Sequence, residues 1–271
     1  MTNPFSMLHQ FKRLPTWALS LVLPLCVVAA LGCTRSEVVQ TSSGTSTQKA
    51  VAEKTAPPLE YLEYMSAGAD TKEKLPVVLA IHGLGDTPRN FITLFETLPI
   101  EARVIAPRAP VAHGPGFTWF FVRLPYRASK SLGDRIGAAA DLIGNLLDWL
   151  SVNVQMKGKP VVTGFSQGGA ISFAVAVRHP EKIRAAIPVS GAIPQTLIDG
   201  KSPGPTKSVP IRALHGDMDD IIPIEPARKT VKLLSEKGWD AELKEYAGRG
   251  HTISDSMQSD LFDFIKTTIA R

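Results

Sequence analysis

The chain has 271 residues, 44% of them apolar and 20% charged, enough for one sizeable core and too apolar to be disordered throughout. Its net charge is +5; Lys12 and Arg13 supply two of those charges, and the +3 left over, with no basic run interleaved with aromatics, gives no ground for a nucleic-acid partner. Cys26 and Cys33 are the only cysteines, which excludes a disulfide, a thiol nucleophile and a cysteine metal site from everything after residue 33.

Residues 1–32 read as a targeting segment. Lys12 and Arg13 precede an apolar run, Trp17 to Leu31, that is interrupted by Pro24 and shorter than a confident membrane span. Its end, Ala29-Ala30-Leu31-Gly32-Cys33, resembles the lipobox of bacterial lipoprotein signal peptides. That resemblance implies cleavage before Cys33, lipidation of Cys33, and anchoring to a membrane of the cell envelope. In a Gram-negative cell it favours the outer membrane, because Thr34 rather than Asp follows the cysteine. An ordinary secretory signal and an uncleaved anchor are the alternatives. Residues 33–58 are rich in Ser, Thr, Gln and Lys and cannot bury enough surface to offset their ordering entropy, so they read as a flexible tether.

From residue 59 onward, strand and helix patterns alternate. Leu59 to Ser66 is a strand with partial alternation, and Leu75 to Ile81 is a continuous apolar run, as expected of a strand buried on both faces. Pro88 to Leu98 reads as a helix with Phe91, Leu94, Phe95 and Leu98 on one side, and Ala102 to Ala106 as a strand. Pro107 to Pro125 reads as an aromatic loop. Ser131 to Asp134 has capping-box spacing, and the long helix after it carries Ile136, Ala139, Ile143, Leu146, Leu147 and Leu150 on one stripe. Further strands are expected over Arg184 to Val189, Val209 to Leu214 and Ala241 to Tyr246, with helices over Glu225 to Lys237 and Ser254 to Ala270. Such alternation predicts an α/β protein with a mostly parallel sheet and helices on both faces, and ligands beyond the carboxyl ends of the strands.

The most informative stretch begins with the short strand Pro160 to Thr163. The pentapeptide Gly164-Phe165-Ser166-Gln167-Gly168 follows, then a helix from Gly169. Strand, sharp turn and helix form the context of a nucleophile elbow, in which flanking glycines leave room for a strained turn that exposes Ser166. A serine hydroxyl needs a base to take its proton, and the base needs an orienting acid. The strand ending at Leu214 delivers His215-Gly216-Asp217-Met218-Asp219-Asp220, with three candidate carboxylates. His251 on the Gly-rich turn Gly248-Arg249-Gly250 is the candidate base, since no other histidine follows the acid. His215, which precedes the acid, reads as a structural hydrogen-bonding residue, and His82 precedes the nucleophile. Two N–H donors for an oxyanion are expected from Gln167 and from Leu84 in His82-Gly83-Leu84-Gly85, with Gly83 the alternative to Leu84.

Four segments now stand in order: His82 to Asp86, Gly164 to Gly169, His215 to Pro223, and Gly250-His251. Together they resemble the phospholipase/carboxylesterase family of α/β hydrolases, which includes acyl-protein thioesterases and bacterial carboxylesterases. The resemblance spans residues 59–270 and implies an α/β-hydrolase fold for the domain 59–271. It further implies a serine carboxylic-ester hydrolase, a carboxylesterase or else a thioesterase or lysophospholipase, that acts through a Ser166–Asp219–His251 triad on small or lipid-like esters. Nothing in the sequence calls for a cofactor or a metal. Asp220 stands where the family has Pro after its acid, so Asp219 and Asp220 both remain candidates. The segment around Trp119 and Phe120 resembles the family's pocket-lining Trp-Phe loop. The family's acyl-tunnel loop has no recognisable counterpart. A serine peptidase or polyester depolymerase on the same scaffold, or a silent surface-tethered binding module, are the competing readings.

Overall fold

The computed structural model describes residues 56–122, 129–201 and 208–270. The leader, Cys33 and all but the end of the tether lie outside the described residues. Seven strands form one sheet in the order β1-β3-β2-β6-β7-β8-β9. They are β1 (Tyr61–Ser66), β2 (Val77–Ile81), β3 (Ala102–Pro107), β6 (Val161–Phe165), β7 (Ala185–Val189), β8 (Ile211–Gly216) and β9 (Ala241–Tyr246). All neighbours run parallel except β1, which is antiparallel to β3.

Central strands β2, β3 and β7 are buried along their whole length, because helices cover both faces. In β2 the side chains divide by the two-residue period of a strand. Val77, Leu79 and Ile81 join one core with helices α2 (Lys130–Asn153), α3 (Gln167–Arg178) and α4 (Ile224–Glu236). Val78 and Ala80 join a second core with α1 (Pro88–Ile92) and α5 (Asp255–Ile269). The α2 stripe from Ile136 to Leu150 is buried as its spacing predicts. Among the described residues no helix is long and apolar enough to cross a membrane.

Local departures from the expected elements have local causes. The expected helix over Pro88 to Leu98 splits into α1 and a 3₁₀ turn, Thr93–Phe95. Thr93 turns its hydroxyl back onto the Asn90 carbonyl at 2.7 Å, yet Phe91, Phe95 and Leu98 still reach the core. The aromatic loop holds a small hairpin of β4 (Val111–His113) and β5 (Gly116–Thr118). Three-residue strands carry too little alternation to be read from sequence. Helix α2 is capped by Ser129, not Ser131. Ser129 has extended backbone and its hydroxyl accepts from the Leu132 N–H at 3.2 Å.

Candidate active site

The end of β6 and the start of α3 meet at Ser166, whose φ of 58° and ψ of −113° form a strained link between strand and helix. Its N–H donates to the Val189 carbonyl at 3.0 Å, and its carbonyl accepts from the Ala170 N–H, so backbone on both sides holds the turn. The flanking glycines are there for close approach. A Cβ on Gly164 would lie 2.6 Å from the Gly168 carbonyl and from the Ile81 oxygen, and one on Gly168 would overlap the Ile81 carbonyl. These are backbone atoms that cannot rotate away. Gly168→Ala is therefore expected to destabilise the fold by about 3 kcal/mol, read as a lower urea midpoint with an unchanged slope.

The parallel register brings three distant segments to this turn. Strand β2 lies next to β6, so the loop Gly83-Leu84-Gly85 starts beside the elbow, and a Cβ on Gly83 would sit 3.4 Å from Ser166 Cβ. Beyond β8, the loop 217–222 folds around Asp219. Beyond β9, the turn 247–251 carries His251. The Asp217 N–H donates to the Tyr246 carbonyl, the Met218 N–H to the Arg249 carbonyl, and the Gly248 N–H to Asp217 Oδ1 at 2.7 Å, which ties the two loops together.

His251 Nε2 lies 3.0 Å from Ser166 Oγ, and His251 Nδ1 lies 2.7 Å from Asp219 Oδ2. A carboxylate oxygen only accepts, so Nδ1 carries the hydrogen and Nε2 is free to receive the serine proton. The imidazole packs against the Phe165 ring, with centroids 4.7 Å apart. Of the three carboxylates on this loop, Asp217 caps the turn at Gly248 and Asp220 is exposed to solvent. Asp219 is 5% exposed and directed inward. Its Oδ1 collects the N–H groups of Ile221 and Ile222 at 3.0 and 2.8 Å. Burial works to raise its pKa. Hydrogen bonds from His215, His251 and the Ile222 N–H outweigh burial and hold the carboxyl well below the usual value. Asp219 is thus ionised at neutral pH.

A cavity of about 260 Å³ opens at Ser166. Leu84, Gln167 and His251 line it, as do Phe120, Ile136, Ala170 and Ile222. Phe120 therefore stands where the sequence places it. Trp119 does not line this cavity. It is buried, its indole N–H donates to the His82 carbonyl at 3.0 Å, and its ring packs on the His82 ring. The side chain of Gln167 has a function that the pentapeptide pattern does not reveal. Its Oε1 accepts from the Thr118 hydroxyl and the Trp119 N–H, both at 3.1 Å, and its Nε2 donates to the Phe120 carbonyl at 2.7 Å. One side chain thus brackets the aromatic wall of the cavity to the elbow. Its backbone N–H, at the first position of α3, is one of the donors a helix cannot satisfy itself. Leu84 is 37% exposed at the cavity mouth.

His82 is not part of this constellation. Its Nε2 accepts from the Ala109 N–H at 3.2 Å, so Nδ1 carries the hydrogen and donates to the Gly83 carbonyl at 2.8 Å. Burial lowers its pKa, against the weaker upward pull of that carbonyl and of Asp86. NMR titration is expected to find this ring still neutral below pH 6.5, where an exposed imidazole is half protonated. The linked stability is present above the unfolded value and declines as the pH falls below it.

The chain is similar to known proteins in sequence and in fold. A probable carboxylesterase of Oryza sativa subsp. japonica is 30% identical over 70% of this chain and 76% of its own. A second protein of that plant, named a probable inactive carboxylesterase, is 28% identical over 65% of this chain and 78% of its own. The crystal structure of esterase PE8 superposes with a TM-score of 0.67 at 25% identity, covering 79% of this chain and all of that one. The sheet order, the helices on both faces and these neighbours make this an α/β-hydrolase fold. The family model described as Phospholipase/Carboxylesterase matches residues 63–269, nearly the whole of the described sheet and its helices, and the chain belongs to that family.

Proposed function

We propose that the protein is a serine hydrolase of carboxylic esters. The observation that carries this reading is the unbroken hydrogen-bonded path from Ser166 through His251 to Asp219 at the mouth of an apolar cavity. Ser166 Oγ attacks the ester carbonyl carbon as its proton passes to His251 Nε2. The carbonyl oxygen becomes an oxyanion, held by the N–H groups of Leu84 and Gln167. Collapse of that intermediate breaks the bond to the alcohol oxygen, which takes the proton from His251, and leaves an acyl group on Ser166. Water then attacks the acyl carbon as His251 again accepts a proton; the bond from that carbon to Ser166 Oγ breaks, Oγ takes the proton back from His251, and the carboxylic acid departs. Asp219 stays ionised throughout and stabilises the imidazolium.

The cavity of about 260 Å³ suits short acyl groups, since pockets that take drug-sized ligands measure roughly 300–1,000 Å³. The test is a panel of p-nitrophenyl esters of increasing acyl length, matched thioesters and peptide substrates. The reading expects turnover of short oxygen esters that declines with chain length. Cleavage of peptides without cleavage of esters would overturn it. Anchoring through Cys33 is a separate proposal resting on the lipobox resemblance alone. It expects incorporation of a tagged fatty acid that Cys33→Ala abolishes, and labelling that survives the substitution would refute it.

A further inference from the structure

The acid of the proposed triad has a second imidazole on it. His215, the next-to-last residue of β8, is 1% exposed. Its Nε2 lies 2.8 Å from the Ile222 carbonyl and 3.3 Å from Asp219 Oδ2, the same oxygen that accepts from His251 Nδ1. Both atoms within reach are acceptors, so Nε2 carries the hydrogen; it donates to the Ile222 carbonyl, and Asp219 Oδ2 lies against the same N–H as a longer electrostatic contact. Ile222 also donates its N–H to Asp219 Oδ1 and lines the cavity. The ring therefore spans the loop 216–222 like a strut. It closes the turn that presents Asp219, and it touches the segment that forms one wall of the substrate cavity.

We propose that His215 is a positioning residue for the hydrolytic reaction: its Nε2–H fixes the orientation of the Asp219 carboxylate and sets how much of that charge His251 receives. This inference rests on the serine-hydrolase reading above. A carboxylate oxygen shared between two donors gives less to each. With His215 present, the charge of Asp219 is divided and its plane is held toward His251. Without it, the carboxylate gains rotational freedom, and the imidazolium of His251 receives more of the charge on average. The first change slows catalysis. The second moves the acid limb of the rate profile to higher pH.

The titratable groups around His215 do not mimic that shift. Asp219 is already held low. Glu245, the register partner on β9, is held low by the Arg228 guanidinium of α4. Tyr246, at the end of β9, is pushed up by burial and by Asp260 of α5. None of these changes charge near neutrality. Val189, the last residue of β7, and Ser190 just beyond it pair with Leu214 of β8, and both are neutral.

The experiment compares the wild-type protein with Ser166→Ala, His215→Leu and His215→Gln. Ester turnover by the wild type and its absence in Ser166→Ala establish the hydrolase reading independently of any effect at His215. His215→Leu removes the donor. It is expected to lower kcat roughly tenfold to a hundredfold with KM little changed, as for loss of a hydrogen bond to a charged group. Its acid limb in kcat/KM is expected to move up by about half a unit to one unit. His215→Gln keeps an N–H donor and is expected to restore most of the rate and the original limb. Equal rate losses in both variants with an unmoved limb would assign His215 to structure alone and overturn the proposal. So would wild-type rates in both. Should His215→Leu fail to fold, ¹⁵N NMR of the wild-type histidines decides: the proposal requires His215 as the Nε2–H tautomer, and an Nδ1–H tautomer would overturn it.

Discussion

Ser166→Ala is expected to reduce kcat for ester hydrolysis on the order of 10⁵- to 10⁶-fold, as when the nucleophile of a triad is removed. The substitution deletes one oxygen and leaves the rest of the site standing. The turn at this residue is held by backbone bonds, Ser166 N–H to the Val189 carbonyl and Ala170 N–H to the Ser166 carbonyl, that alanine retains. Among the described residues the Ser166 hydroxyl bonds to His251 Nε2. Losing that bond costs the fold little, and the variant is expected to melt at or above the wild-type temperature. Substrate binding should survive, because the cavity walls are unchanged. Steady-state kinetics on a short p-nitrophenyl ester, with a thermal melt of the same sample, reads both expectations. A variant that retains activity within tenfold of wild type would mean that another group attacks the carbonyl.

Asp219→Asn separates the two acidic neighbours. It is expected to lower kcat by about 10⁴-fold, whereas Asp220→Asn should change it by no more than about twofold. The reason lies in the hydrogen-bond directions. Asparagine can present its carbonyl oxygen to the N–H groups of Ile221 and Ile222 that bond Asp219 Oδ1. It then turns its amide N–H₂ toward His251 Nδ1, where a donor meets a donor. The ring responds by moving its hydrogen to Nε2, and that hydrogen points at the Ser166 hydroxyl instead of accepting from it. The base is lost without any loss of packing. Asp220 is solvent-exposed and has no such connection. The same kinetic assay on both variants decides; equal falls, or a larger one in Asp220→Asn, would reassign the acid.

Much of the site was legible because it is punctuated. The Gly164 to Gly168 pentapeptide, the glycines after β2 and the lone histidine before α5 are required by close backbone approach or by chemistry, and their order along the chain survives folding. What stayed hidden depends on which way a side chain turns. Asp219 and Asp220 share a loop, and only the capture of the Ile221 and Ile222 N–H groups selects the inward one. Trp119 and Phe120 are adjacent and aromatic, yet one seals the His82 carbonyl and the other lines the cavity. Ile136 reads as one more residue of the α2 core stripe, and it is, but it also lines the cavity. Apolar periodicity does not distinguish a core from a pocket wall. His215 reads as a structural histidine. The fold joins it to the acid across a turn of four residues, through contacts that no spacing rule encodes.

The central claim is that the Ser166 hydroxyl is activated by His251. A fluorophosphonate probe on the intact protein tests it most directly, because such a probe reacts with a serine whose proton a base removes and not with an ordinary one. The expected result is a single adduct per chain, mapped by tandem mass spectrometry to Ser166, and none in His251→Ala. A protein that hydrolyses esters yet takes up no probe at Ser166, or takes it up equally without His251, would contradict it.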